Sequence, residues 1–244
     1  MTSLEDPSLA VGLAAEDDGA RWDAFVERAA GSSLCHLHGW SRVFERTYRK
    51  RCFYLCAEGR SGIEGILPLV VMRGAFGAGR LVSVPFLDQG GIVATSRVVA
   101  QVLVRKSLDL ADKLGVAGTD LRGGCHAWQE EGAETDRFRL VLTLPDTQEE
   151  LWQKVGPKVR NQIRKSEKAG LATESVPASE LGAFYTIFGR NMRDLGSPVH
   201  SRRLFTSILD EFGSRAILYL TRDAAGRPVA GAVALRFASS FTVP

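Results

Sequence analysis

The sequence predicts an α+β fold in two halves of similar plan. At 244 residues the chain is long enough for two ordinary domains, and its 45% apolar content supports a full core. Segments with helical and strand periodicity follow in the order helix, helix, strand, hairpin, and this order occurs twice. The pattern restarts at Pro145 and Asp146. We therefore predict a first domain over 1–145 and a second over 146–244, each with a mixed sheet flanked by helices.

Turn residues set the elements of the first half. Gly59 and Gly62 bracket the turn between two strand-like runs, which is typical of a hairpin. Gly115 follows a long amphipathic run and is typical of a helix end. The predicted strands are 9–13, 52–58, 63–72, 80–85, 118–122 and 138–144, and the predicted helices are 20–30, 39–48 and 96–114.

The second half opens with helices and closes on a second hairpin, whose turn has the sequence DAAGRP. The predicted helices are 149–155, 158–169, 179–195 and 201–212, and the predicted strands are 171–175, 216–222 and 228–237.

A basic helix within 154–169 is the most distinctive segment. Pro157 fits its first turn, and Gly170 fits the position just past its end. Three aliphatic side chains share a narrow arc that is predicted to pack: Val155, Val159 and Ile163. Six cations share the wider, opposite arc: Lys154, Lys158, Arg160, Arg164, Lys165 and Lys168. Such a face is either solvated or binds anions, and its arginine content favours a phosphate-bearing ligand or an RNA backbone.

Composition and motifs exclude several classes of protein. A net charge of +3 does not describe a dedicated nucleic-acid binder, so no DNA partner is expected. No apolar run is long enough to span a bilayer, and acids stand where a signal peptide would be basic, which predicts a cytoplasmic protein. The cysteines and histidines lack metal-site spacing, so no metal is expected. No nucleophilic triad or phosphate-binding glycine loop stands out.

Four stretches taken together resemble the FemAB-related family of tandem GNAT-like transferases. They are HLHGWSRVFERTY, GILPLVVMRGAFGAGRLVSVPFLDQGG, KVRNQIRKSEKAGL and RNMRDLGSPVHSRRLF, and their order spans most of the chain. The PF-x-x-x-GG loop and the RDLGSPV segment are most similar to the branch associated with exosortase and PEP-CTERM exopolysaccharide systems. The resemblance implies tandem GNAT-like domains, the second incomplete because the chain ends soon after its hairpin.

This resemblance implies transfer of an acyl or aminoacyl group to an amine or hydroxyl of a cell-envelope precursor, of peptidoglycan or exopolysaccharide. The donor would be aminoacyl-tRNA or acyl-CoA, with no permanently bound cofactor. The precursor would bear phosphate, tRNA would be a partner in the first case, and peripheral proximity to a membrane is compatible with such a substrate. Two alternatives stay open: an acyl-CoA-dependent N-acetyltransferase, and a non-catalytic module that binds the precursor.

Candidate phosphate contacts lie on the basic helix. Arg160 and Arg164 are one turn apart and could grip one phosphate from both sides. Alternatively they pair with nearby acids. Lys158 and Lys165 are further candidates, although a lone lysine is usually solvated.

The loop from Pro85 to Gly91 is a second candidate site, with Pro85 and Phe86 at one end. Gly90 and Gly91 can let backbone amides approach a ligand, and Asp88 could position or deprotonate a nucleophilic amine. The alternative is an ordinary glycine-rich turn.

Two further pairs of residues are candidates for substrate binding. Arg193 and Asp194 either orient substrate or form a cap network that ends their helix. His38 and Trp40 either pack and cap the second helix or line an acceptor cleft.

Overall fold

The computed structural model describes residues 9–74, 77–87, 89–123 and 141–243. By proximity of Cα atoms these form two compact units. The first comprises Met1–Glu130, His200–Ala216 and Ala234–Pro244, and the second comprises Glu131–Val199 and Ile217–Val233. This grouping follows spatial proximity, whereas the domain limits 1–145 and 146–244 follow the repeated order of elements and stay a prediction.

The helices are α1 (Gly19–Arg28), α2 (Trp40–Tyr48), α3 (Arg97–Leu114), α4 (Gln148–Lys154), α5 (Pro157–Lys168), α6 (Leu181–Asp194) and α7 (Arg202–Phe212). The strands are β1 (Ala10–Leu13), β2 (Cys52–Gly59), β3 (Gly62–Met72), β4 (Arg80–Val82), β5 (Val93–Ala94), β6 (Thr119–Asp120), β7 (Ala172–Val176), β8 (Ala216–Arg222), β9 (Pro228–Phe237) and β10 (Ser240–Thr242). The described helices and strands come partly in runs, such as the strands β2 to β5 and the strands β8 to β10, which confirms the α+β class.

The first sheet is mixed. Its strand order is β1-β2-β3-β4-β6, and β5 also pairs with β3. The predicted hairpin is confirmed: β2 and β3 pair antiparallel from Cys52 opposite Val70 to Gly59 opposite Gly62, and Gly62 has a φ of 115°. Among the strand pairs of the described residues, β4 with β6 is the one that runs parallel.

Helix α3 packs its apolar face on this sheet. Val99 and Leu103 of α3 belong to the same buried core as Leu67 and Leu69 of β3. Gly65 permits this close approach, because a Cβ atom there would lie 2.6 Å from Val99 Cγ1. Helix α3 ends as predicted, with Gly115 in the left-handed conformation.

Replacing Gly65 with alanine should destabilise the protein, since the added methyl group would overpack the contact between β3 and α3. We expect Gly65→Ala to lower the free energy of unfolding by about 1–3 kcal/mol, measured by urea denaturation. Gly12→Ala in β1 is the matched control, because no described atom beyond its chain neighbours lies within 4 Å of a Cβ built there. Equal stability of the two variants would contradict the prediction.

The second sheet has the strand order β10-β9-β8-β7. Strand β7 pairs antiparallel with β8, from Ala172 opposite Arg222 to Val176 opposite Leu218. Helix α6 packs on these strands within the second unit: a Cβ atom at Gly231 would lie 3.0 Å from side-chain atoms of both Leu220 and Phe184.

Two predicted strands are wrong in extent. The strand predicted over 80–85 ends at Val82, because the backbone at Val84 turns to a φ of 42°. The strand predicted over 138–144 is not formed by its described part, 141–144, where Val141, Leu142 and Leu144 are exposed. None of the described strands pairs with this segment, so a ladder of hydrogen bonds does not hold it extended.

Candidate functional site

The loop that follows β4 is backbone-strained. Val84 has a φ of 42° and Phe86 a φ of 70°, and both are non-glycine residues in the left-handed region. This conformation is unusual for a β-branched residue such as Val84. Strain of this kind persists only where surrounding structure fixes it, and it occurs often at ligand-binding sites.

The surrounding structure does fix this loop. Ser83 is fully buried, and its hydroxyl accepts a hydrogen bond of 2.7 Å from the backbone N–H of Arg122. The N–H of Gly90 donates to the carbonyl of Arg122 at 3.0 Å. A Cβ atom at Gly90 would lie 2.5 Å from Val84 Cγ2, so only glycine fits here without displacing Val84.

Of the sequence-predicted loop residues, Pro85, Gly90 and Gly91 are buried, and Phe86 is 44% exposed. Asp88, the predicted base, lies outside the described residues and stays a prediction.

Phe86 belongs to a group that we call the aromatic cluster: Phe44, Tyr48, Phe86 and His200. The ring centroid of Phe86 lies 5.3 Å from that of Tyr48, 5.1 Å from that of His200 and 6.3 Å from that of Phe44. A hydrogen bond of 3.2 Å joins the Tyr48 hydroxyl to His200 Nδ1. Tyr48 and His200 are both partly exposed. The cluster thus offers a polar pair beside an exposed aromatic ring.

His38 and Trp40 lie in the core of the first unit. The indole N–H of Trp40 donates to the carbonyl of Leu34 at 2.9 Å, and its ring packs against Phe44 and Phe212. The His38 ring packs against Tyr54, and burial lowers the pKa of His38. This burial favours the packing interpretation over a role in an acceptor cleft.

An ion-pair network joins α2 to α7 within the first unit. Arg42 donates from Nε to Glu211 Oε1 at 2.9 Å and also from Nη2, while Arg46 Nη1 lies 3.5 Å from Oε2. Only 9% of the Glu211 side chain is exposed. The hydrogen bond to Glu211 raises the pKa of Arg42. No local sequence pattern predicts this network, because Arg42 and Glu211 are 169 positions apart.

Thiol chemistry is disfavoured in the first sheet. Burial raises the pKa of Cys52 to about 12 and that of Cys56 to about 11. A nucleophilic cysteine needs the opposite shift. These two thiols therefore do not supply a nucleophile near neutral pH.

The basic helix α5 spans Pro157–Lys168, one residue earlier at each end than the predicted 158–169, with Pro157 in its first turn as predicted. Gly170 beyond its end has a φ of 73°. Its aliphatic arc packs less than predicted: none of its residues is buried, and Val159 is 49% exposed.

Arg160 and Arg164 have different surroundings. Arg160 Nη1 donates to three carbonyl oxygens at the end of α4, those of Trp152, Gln153 and Val155, at 3.2, 3.3 and 2.7 Å. Arg164 is exposed and its Cζ lies 5.3 Å from the centroid of the Trp152 ring. Arg160 thus caps α4, whereas Arg164 is oriented by a cation–π contact. Lys158 and Lys165 are exposed.

Arg193 and Asp194 are exposed at the end of α6. Arg193 Nη2 lies 2.9 Å from Asp194 Oδ1, so these neighbours pair with each other. The backbone then turns at Gly196, which has a φ of 66°.

The described ranges contain no cluster of three or more His, Cys, Asp or Glu side chains arranged to hold a metal ion. None of the helices in these ranges has the length and apolar character that crossing a membrane requires.

This chain is similar to a known protein family in sequence and to solved structures in fold. The model of the FemAB family matches residues 96–222, more than half of the chain. The crystal structure of FemX superposes with a TM-score of 0.62 at 15% identity, over 87% of this chain and 57% of that one.

Two more distant structures are a tandem GNAT protein from the clavulanic acid biosynthesis pathway and a GNAT family acetyltransferase of Staphylococcus aureus. The first has a TM-score of 0.44 and 12% identity, over 95% of this chain and 75% of that one. The second has a TM-score of 0.37 and 15% identity, over 56% of this chain and 99% of that one. No curated protein matches the sequence. The family match shows that this chain belongs to the FemAB family.

Proposed function

We propose that this protein transfers an acyl or aminoacyl group to an amine or hydroxyl of a cell-envelope precursor. Membership of the FemAB family, over a match that includes α5 and His200, supports transferase chemistry. Peptidoglycan and exopolysaccharide precursors are both candidate acceptors, the latter through the PEP-CTERM-associated branch that the sequence resembles. The donor is aminoacyl-tRNA or acyl-CoA.

The observation that carries this proposal is the exposed basic face of α5. Lys158, Arg164, Lys165 and Lys168 are all exposed on this helix. The Arg164 Cζ lies over the Trp152 ring, 5.3 Å from its centroid. The N–H groups of an exposed guanidinium can donate to phosphate oxygens.

Arg160 is not a phosphate contact in this proposal, although its spacing from Arg164 predicts one. Its bonds to the carbonyls of α4 hold α5 in place, so Arg164 with its neighbouring lysines is the proposed phosphate contact. A diphosphate-linked precursor and tRNA both carry the phosphate that such a face would bind.

We expect a ligand that binds this face to raise the melting temperature of the chain by about 5–10 °C at a hundredfold excess over its dissociation constant. The panel contains a nucleotide-linked peptidoglycan precursor, aminoacylated tRNA and acetyl-CoA. Arg164→Ala should weaken binding of the phosphate ligand roughly 10- to 100-fold, because a charge-assisted bond is lost. Arg105→Ala, an exposed arginine of α3, is the matched control.

The results of this panel distinguish the proposed transferase from the two alternatives. Stabilisation by the precursor or tRNA that Arg164→Ala removes, together with acyl transfer, supports the proposal. Stabilisation by acetyl-CoA alone, unchanged in Arg164→Ala, favours an N-acetyltransferase with a solvated α5. Binding of the precursor without transfer from either donor indicates a non-catalytic module.

A further inference from the structure

Two basic segments meet at one surface of the first unit. Residues 46–51 have the sequence RTYRKR and residues 200–203 the sequence HSRR, so together they carry six arginine and lysine side chains and no acid. Helices α2 and α7 hold these segments side by side. The Tyr48 hydroxyl lies 3.2 Å from His200 Nδ1, and the Thr47 hydroxyl lies 3.5 Å from the carbonyl oxygen of Arg203.

The Phe86 ring lies at the same surface. Its centroid is 5.1 Å from that of the His200 imidazole, and 44% of Phe86 is exposed. We call the six cations and this ring the basic patch: Arg46, Arg49, Lys50, Arg51, Phe86, Arg202 and Arg203. All of its members belong to the first unit, whereas α5 belongs to the second.

Most charges of the basic patch have no acidic partner among the described residues. Five of the six cations are exposed: Arg46, Arg49, Arg51, Arg202 and Arg203. Arg46 lies 3.5 Å from the carboxylate of Glu211. The ion pairs within the described ranges include none that involves Arg49, Arg202 or Arg203. The patch therefore presents net positive charge to its surroundings.

The charges at the start of α7 oppose the stability of that helix. Arg202 and Arg203 are its first two residues, and Ser201 caps it. The N-terminus of a helix carries a partial positive charge, which favours acidic side chains and disfavours cations. The first turn of α7 contains no acid. Helix stability therefore does not account for this pair of arginines.

Two further members of the patch hold backbone conformations that glycine would adopt without strain. Arg49, which follows the last turn of α2, has a φ of 51°, and Phe86 has a φ of 70°. Glycine is the most common residue just past a helix end, because other residues are strained in the left-handed region. Both positions nevertheless carry a long or aromatic side chain that is exposed. An external partner accounts for side chains that the fold itself does not favour.

We infer that the basic patch docks on the surface of a membrane that contains anionic lipids. Its arginines bind lipid phosphate groups, and each cation close to an anionic bilayer strengthens the attraction. The exposed part of Phe86 enters the boundary between headgroups and acyl chains, where the apolar side chains of peripheral proteins lie. Charge and apolar surface are thus both used.

RNA is the other polyanion that such a patch could bind, and two observations favour a membrane. Stacking of a base needs an open ring face, whereas more than half of Phe86 is covered, and the rings of Phe44, Tyr48 and His200 pack against it at 5.1–6.3 Å. Insertion into a bilayer needs only exposed apolar area. In addition, a net charge of +3 does not describe a nucleic-acid-binding chain.

Co-sedimentation of the full 244-residue chain with lipid vesicles is the first test. One set of vesicles is made of phosphatidylcholine alone, and the other of equal parts of phosphatidylcholine and phosphatidylglycerol. We expect binding to the second set to be at least about 10-fold stronger, because phosphatidylglycerol supplies negative charge. Raising the salt concentration should weaken this binding, since salt screens exposed charges.

Charge-removing variants locate the binding surface. The double variant Arg202→Gln, Arg203→Gln should weaken binding to the anionic vesicles about 10- to 30-fold, since two cations are lost. The matched control is Arg105→Gln, Lys106→Gln, which removes two adjacent exposed cations from α3. We expect this control to change binding by less than about threefold. Arg49→Gly removes one further cation of the patch and should weaken binding about 3- to 5-fold.

The variant Phe86→Trp tests the apolar part of the patch. Tryptophan is favoured at membrane interfaces, so this variant should bind anionic vesicles at least as well as the wild type. On binding, the added tryptophan emission should shift to shorter wavelength and be quenched by brominated lipids, with the wild type as the baseline. An added emission that neither shifts nor is quenched would contradict insertion of this side chain.

Thermal unfolding without lipid separates docking from a role in the fold. Arg49→Gly removes a left-handed arginine, and the Arg202→Gln, Arg203→Gln variant removes cations that the dipole of α7 disfavours. We therefore expect melting temperatures within about 2 °C of the wild type, or higher. A large loss of melting temperature in both variants would mean that these side chains serve the fold, and the inference would be wrong.

Three other outcomes would overturn the membrane assignment. The first is a lack of preference for anionic vesicles, and the second is an equal effect of the patch variant and the α3 control. The third is loss of vesicle binding in Arg164→Ala but not in Arg202→Gln, Arg203→Gln, which would assign the binding to α5. Binding of a single-stranded RNA that needs Arg202 and Arg203, without binding to vesicles, would make the patch an RNA contact instead. None of these measurements depends on acyl transfer, so the proposed function is tested separately.

Discussion

Replacing Glu211 with alanine should lower the free energy of unfolding by about 2–4 kcal/mol. Its carboxylate is 9% exposed and accepts hydrogen bonds from Arg42 and Arg46. Removing one partner of a nearly buried ion pair leaves the remaining charge poorly solvated, and this costs more than the pair itself contributes. One third of the Arg42 side chain is exposed, so water offsets part of the loss.

Urea denaturation of the wild type, Glu211→Ala and Asp210→Ala tests this expectation. Asp210 is the preceding acidic residue on α7 and is exposed, so its substitution should change stability by less than about 0.5 kcal/mol. A cost for Glu211→Ala no larger than that for Asp210→Ala would contradict the prediction.

Gly39 provides an independent check on the same contact. A Cβ atom there would lie 2.8 Å from Glu211 Oε1, so Gly39→Ala should displace the carboxylate from its arginine partners. We therefore expect the cost of Gly39→Ala to fall when Glu211 is already alanine, because neighbouring sites that share a contact are not additive. If the losses of unfolding free energy in the two single variants add up to that of the double variant, Gly39→Ala does not act through this ion pair.

Local patterns in the sequence were sufficient to predict most elements. The first turn of α5 at Pro157, the end of α3 at Gly115 and the hairpin at Gly62 depend on residues with restricted or unusual backbone freedom, and the structure places all three as predicted. Apolar composition alone was not sufficient. Residues 141–144 are mostly apolar but form no strand, because a strand also requires a partner strand.

The candidate site was predictable only in part. The segment Pro85–Gly91 stands out by its glycines, but the strain at Val84 comes from buried contacts that no sequence pattern encodes. Spacing pairs Arg160 with Arg164, whereas the carbonyls exposed at the end of α4 engage Arg160. The contact of Tyr48 with His200 joins positions 152 apart, so no local periodicity reports it.

Acidification should destabilise the protein through His36. This side chain is almost fully buried, and burial lowers its pKa from an ordinary value of 6.5 to about 4. Its Nδ1 accepts a 3.0 Å hydrogen bond from the N–H of Ser33, and its own carbonyl accepts one from the indole N–H of Trp22. The folded state therefore holds a neutral imidazole that the unfolded chain would protonate.

The direction of the effect follows from proton binding. Below the unfolded pKa of 6.5 the unfolded state binds a proton that the folded state does not, so the contribution of His36 is fully present above that pH. It is lost as the pH falls towards the folded pKa of about 4. From these two values we expect a loss of about 2 kcal/mol by about pH 5 and of about 3 kcal/mol at lower pH.

The variant His36→Asn isolates the contribution of His36 protonation to the pH dependence of stability. The asparagine side-chain oxygen can accept from the N–H of Ser33 as Nδ1 does, but the amide does not titrate. We expect the variant to be less stable than the wild type at about pH 7.5, because it fills less of the core, and the gap to narrow by about 2 kcal/mol at about pH 5. Buried groups that both proteins share, including His38 and Asp23, cancel in the difference. Parallel pH profiles for the two proteins would show that the buried imidazole is not what makes the fold sensitive to acid.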